Sequence, residues 1–159
     1  MAMPSYMTLS GKKQGKIEGS CEQKSHTGSI LIQEFDHEIA LPKDPQSGQP
    51  VGQRVHKPLT IHKYVDKASP KLYKALSTGE RCDVEIKWYR INPSGEEEHY
   101  FTHKLEDAVI VSIQPYMFNC LDKANDQYGH MEKVSFTYRK ISWTFVDGGV
   151  AAEDDWKDR

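Results

Sequence analysis

Strict alternation in two stretches limits this chain to a mainly β fold. In CDVEIKWYRI (82–91), Val84, Ile86 and Trp88 share one parity, and Asp83, Glu85 and Lys87 share the other. A period of two puts each set on its own face of an extended strand, one against a core and one in water. The turn-forming NPSG (92–95) follows, then EHYFTHKL, so residues 82–104 read as an antiparallel hairpin. DAVIVSIQ (107–114) reads as a separate strand, apolar enough to be buried on both faces. In KVSFTYRKISWTFV (133–146), Val134, Phe136 and Tyr138 have one parity and Ile141, Trp143 and Phe145 the other. A β-bulge at Arg139-Lys140 would return both sets to one core face and bend the strand. The same parity argument sends Trp88, Phe136 and Trp143 to the core.

SYMTLSG, GSILIQEF and LTIHKYV add further short strands. One helix is predicted in ASPKLYKALSTGE (68–80), with Ser69 as N-cap, Pro70 at the first helical position and Gly79 just past the end. Leu72, Ala75 and Leu76 give it one apolar stripe, which must dock on the sheets because so short a helix does not stand alone in water. Residues 41–58, LPKDPQSGQPVGQRVHKP, hold four of the eight prolines and can be neither helix nor central strand. A structureless loop of that length is uncommon in a compact domain, so it demands a purpose. Residues 148–159 are acidic and read as a frayed tail, or less simply as an arm docking Trp156.

At 159 residues the chain fits a single domain, 1–159, with enough apolar content for a core. Its net charge of -2 argues against a broad nucleic-acid footprint. No apolar run is long enough to span a membrane, and the start lacks the basic and apolar stretches of a signal peptide. Cys21, Cys82 and Cys120 form no C-x-x-C pair and read as reduced thiols.

The chemistry-bearing candidates are weak. His99 and His103 lie four apart in a predicted strand, some 13 Å by strand rise, too far to share a metal. EFDHE (34–38) clusters three carboxylates around His37 and could do acid–base work, although a solvated strand end is the commoner meaning. No phosphate-binding glycine loop and no nucleophile elbow occurs. The residues alone leave open a monomeric β-barrel that binds a small ligand or single-stranded nucleic acid, since WYR and YRK interleave basic and aromatic side chains. No catalytic residue, metal ligand or cofactor is assigned.

Five segments occur in an order that resembles a known family: QEFDHEIALPKDPQSGQPVGQRVHKPLTI (33–61), DKASPKLYKALSTGE (66–80), WYR (88–90), EEHYFT (97–102) and VSFTYRKISW (134–143). Together they resemble the haemolysin-coregulated protein (Hcp) family of bacterial type VI secretion systems. The resemblance implies two antiparallel sheets packed as a barrel with one short helix and a long extended loop. It implies a structural, non-enzymatic role: hexameric rings stacked into a tube, fired by a contractile sheath behind a VgrG-type spike protein, with small effectors in the lumen. Assembly would take place in the bacterial cytoplasm, with release outside or into a target cell without a cleavable signal peptide, and without membrane insertion. On this resemblance the loop makes ring and stacking contacts through Asp44, Gln46, Gln49, Gln53, Arg54, His56 and Lys57. Gln33, Asp36, Ser112 and Gln114 are the lumen candidates.

Overall fold

The computed structural model describes residues 3–156. In chain order these form β1 (Ser5–Gly11), β2 (Gly15–Ile17), β3 (Ile30–Ile32), β4 (Glu34–Asp36), β5 (Ile39–Ala40), β6 (Val55–His56), β7 (Leu59–Tyr64), α1 (Ser69–Thr78), β8 (Cys82–Ile91), β9 (Glu97–Tyr116), β10 (Met131–Thr137), β11 (Lys140–Phe145) and β12 (Val150–Asp155). The pairings between these strands are antiparallel.

The alternation of β8 becomes packing. Cys82, Val84 and Ile86 are buried, and Trp88 lies partly buried against the same core. At the hairpin turn, Asn92 Oδ1 accepts the N–H groups of Ser94 and Glu96, and Gly95 takes a φ of 85°. The hairpin therefore stands as read, but EHYFTHKL and DAVIVSIQ are one 20-residue strand rather than two. β9 serves two sheets: residues up to Ala108 pair with β8 and β11, while Val109–Tyr116 pairs with β10. It bends at Asp107, whose φ is 50°. Left-handed backbone costs a non-glycine residue about 1 kcal/mol. Arg139 braces the bend: its Nε donates to Asp107 Oδ2 at 3.0 Å and its backbone N–H to Glu106 O at 3.2 Å.

The parity flip around Arg139 is real, but a one-residue bulge does not produce it. β10 lies in the second sheet and β11 in the first, and Tyr138 and Arg139 carry the chain between them. A bulge does occur nearby, between Ser135 and Phe136, where Val111 is the extra residue on β9. Phe136, Tyr138 and Ile141 are buried and Trp143 packs against them, so both parities reach one core. Val111 is 44% exposed, so the expected two-sided burial of DAVIVSIQ fails: the outer face of the second sheet is bare in the subunit.

The sheets meet again at Gln33, which separates β3 on β1 from β4 on β7 and donates its N–H to His62 O at 2.8 Å. The order β12-β11-β9-β8-β1 thus faces β9-β10-β7-β4 across a shared core, a barrel interrupted rather than closed. Met7, Ile86, Leu59, Ile61, Leu105 and Phe136 fill it.

Helix α1 buries Leu72 and Ala75 as the stripe required, and Gly79 ends it at φ 65° while Glu80 N–H donates to Ala75 O at 2.9 Å. Its start differs from expectation. Ala68 is the N-cap residue and makes no side-chain cap; its N–H donates to Asp66 Oδ1 at 3.0 Å, whereas the Ser69 hydroxyl is drawn inward to donate to buried Glu132 at 2.7 Å. The acidic end is not frayed: β12 pairs along β11 and Trp156 packs against the core. Its carboxylates find basic partners, Glu153 at Lys140 (2.9 Å), Asp154 at Arg54 (2.7 Å) and Asp155 at Arg139 (2.5 Å). Residues 157–159 of that expected tail lie outside the described residues.

Candidate functional site

The segment 41–58 is ordered, contrary to the structureless loop expected. Its base pairs Ile39 with His56 and Ala40 with Val55, and a bridge joins Lys43 to Pro50 further out. At the tip Asp44 N–H donates to Gln49 O and Gly48 N–H to Asp44 O, both at 2.8 Å, with Gly48 at φ 73°. The Asp44 carboxylate accepts Gln46 N–H at 2.9 Å and the Ser47 hydroxyl at 3.0 Å, which hold its pKa below the ordinary value. Proline stiffness and local hydrogen bonds give a two-stranded arm. Gln46, Gln49 and Gln53 are exposed on it, Asp44 is half-buried, and Ile39, Leu41, Val51 and Val55 present apolar surface.

Two of the proposed contact residues turn inward instead. Arg54 grips Asp154 with both arms of its guanidinium, Nε to Oδ2 at 2.7 Å and Nη2 to Oδ1 at 2.8 Å. His56 is buried, with Nε2 at 2.5 Å from Asp154 Oδ2 and Nδ1 at 2.6 Å from the Tyr138 hydroxyl. His37 Nε2 reaches the same hydroxyl at 2.9 Å. Burial, seconded by Asp154, raises the Tyr138 pKa well above 10, so the group stays a neutral phenol. Arg54 chiefly, by hydrogen bonding, holds the Asp154 carboxyl below its usual range. Lys57 alone of the basic trio projects outward, its Nζ 2.9 Å from exposed Glu38.

The bare face of the second sheet carries a hollow of about 320 Å³. Register explains its lining. One row across the sheet is Asp36, Thr60, Ser135 and Ser112; the next is Glu34, His62, Lys133 and Gln114. Each of these alternates with a core residue, Phe35, Ile61, Val134 or Ile113. Asp36, Ser112 and Gln114 are brought together there, with His37, Lys57 and Lys133 beside them. Gln33 is exposed at the seam and does not line the hollow. Burial, then His56, lowers the His37 pKa, opposed by Asp36.

The remaining candidates are engaged structurally. His99 bonds Thr102 Oγ1 at 2.7 Å, and His103 accepts Trp88 Nε1–H at 2.9 Å. Among the described residues no group of three or more His, Cys, Asp or Glu is placed to hold a metal ion. Burial, seconded by Glu80, pushes the Cys82 thiol up to about 11, which keeps it protonated.

Residues 6–145 match the family described as "Type VI secretion system effector, Hcp". The chain belongs to the Hcp family. It is similar to the "Major exported protein" of Pseudomonas aeruginosa, 50% identical over 167 aligned positions that cover 99% of this chain and 97% of that one. Among solved structures, one described as "Crystal structure of Hcp protein" has a TM-score of 0.91 at 39% identity, covering 99% of this chain and all of that one (100%). The "Secreted protein Hcp3" of Pseudomonas aeruginosa has a TM-score of 0.80 at 42% identity, with coverage of 98% and 99%. This Hcp chain is accordingly a secreted tube protein of type VI secretion. The sequence marks His37 only as an acid–base candidate and Tyr138 only as a core-facing residue, and gives no sign that they and Asp154 tie down the arm. No local pattern marks a partnership across 98 to 101 residues.

Proposed function

We propose that this Hcp chain is a non-catalytic brick: six copies make a ring, and the arms join ring to ring. Asp44, Gln46, Gln49, Gln53 and Lys57 supply the outward contacts, while Arg54 and His56 hold the arm in the pose that makes those contacts repeatable. The observation that carries the reading is the arm itself, ordered by its own hydrogen bonds yet exposing polar tips and apolar flanks. Preorganisation of that kind lowers the entropy lost on docking, and a head-to-tail contact generates open filaments. The bare polar face with Asp36, Ser112 and Gln114, and Gln33 at its seam, lines the channel. There it meets small effector proteins; the spike and the sheath are met at the ends and outside of the tube.

Deleting residues 44–53 tests the arm, because it spares Arg54 and the pairing of β5 with β6. The deletion variant should keep the wild-type circular dichroism spectrum and form single rings but not stacks by electron microscopy. Stacks of wild-type length would overturn the assignment.

A further inference from the structure

Tyr138 stands between two histidines at a junction of the hollow, the arm and the last strand. His37 lines the hollow, His56 belongs to β6 at the arm's base, and behind His56 stands Asp154 of β12. The Tyr138 oxygen lies 2.9 Å from His37 Nε2 and 2.6 Å from His56 Nδ1. A phenol has one proton. It donates to one imidazole and accepts from the other, so every donor in the chain His37–Tyr138–His56–Asp154 meets an acceptor with both rings neutral, or with one charged. A second added proton breaks that order. Two N–H groups would then face one oxygen, and the phenol proton, on a residue only 7% exposed, would have no acceptor.

We propose that Tyr138 is a positioning residue whose hydroxyl couples the protonation of His37 in the hollow to the seating of the arm through His56. The groups facing His37 set the direction. Asp36 favours its charge, while His56 and burial oppose it. His103 is coupled to it from β9, and Glu38, Lys57 and Lys133 share its hollow. Lys57 is already paired with Glu38. At neutral pH His37 is uncharged, the relay is complete and the arm is held. In acid His37 gains its proton; once His56 is charged as well, the phenol proton loses its acceptor and the base of the arm loosens, while Arg54 still grips Asp154. Any effect on stacking rests on the arm reading above; the latch itself does not.

Hydrogen exchange of the full chain between pH 7 and pH 5, corrected for intrinsic rates, tests it. Protection of residues 39–57 should fall relative to β8, by up to about ten-fold per pH unit once His37 titrates. His37→Gln keeps an N–H for Tyr138 but cannot charge, and should hold wild-type protection down to pH 5. Tyr138→Phe should show low protection of 39–57 at every pH, with β8 unaltered. Wild-type protection that tracks β8 throughout, or a His37→Gln slope equal to wild type, overturns the proposal. Protection that falls in acid while stacks persist by electron microscopy supports the latch and sinks the arm reading instead.

Discussion

Lys63 is among the largest fully buried side chains of the described residues, and its removal should expose how a charge is tolerated in this core. Its ammonium meets Glu132 Oε1, Asp66 Oδ1 at 3.0 Å, Tyr64 O at 2.9 Å and Ser69 Oγ at 3.3 Å. Glu132 is 1% exposed; its Oε1 also accepts the Ser69 hydroxyl, and its Oε2 has no hydrogen-bond partner among the described residues. The pair is therefore asymmetric. Lys63→Met leaves a buried carboxylate with one hydroxyl donor, and should cost about 3–5 kcal/mol of unfolding free energy. Glu132→Leu leaves the ammonium its Asp66 counter-charge and should cost less, about 1–2 kcal/mol. The double variant removes the buried Lys63–Glu132 charge pair and should lie about 2–4 kcal/mol above the sum of the single losses. Urea unfolding at one fixed protein concentration measures all four corners of the cycle. Additive losses would refute the argument.

His103 should make the protein acid-sensitive. Burial first, then His37, lowers its pKa from 6.5 to about 4, and the neutral ring accepts the Trp88 N–H. A depressed folded pKa means that the stabilisation is complete above 6.5 and is lost as pH falls towards 4: about 2 kcal/mol gone by pH 5 and about 3 by pH 4. His103→Gln should remove that share of the pH dependence in urea midpoints; identical slopes would show that the ring titrates freely. At the β9 bend, Asp107→Asn should cost under about 1 kcal/mol because Asn tolerates positive φ, whereas Asp107→Val should cost about 1–3 kcal/mol. Equal midpoints for the two variants would mean the backbone there is not strained.

The parts of the site legible in the sequence are those governed by alternation. Ser112 and Gln114 flank Ile113, so strand parity alone puts them on the face opposite the core, where the hollow lies. Lys63 is the instructive case. It shares parity with Leu59 and Ile61, and the pattern points it inward; only its charge argued otherwise. Arg54 and His56 read as outward donors on a polar loop because Asp154 stands about a hundred positions away, at separations of 100 and 98. The acidic end looked solvated for the same reason.

The chain's own order of residues set which stretches are extended, where α1 runs and stops, and that 41–58 could not be a central strand. Those are local outcomes of side-chain period, proline geometry and glycine's left-handed turns. Tertiary structure decided which sheet each strand joined, where β9 bends between them, and that histidine, tyrosine and aspartate from distant segments meet beneath the arm. Such choices depend on desolvating polar groups together, and a buried donor finds its acceptor only once the chain has closed on itself.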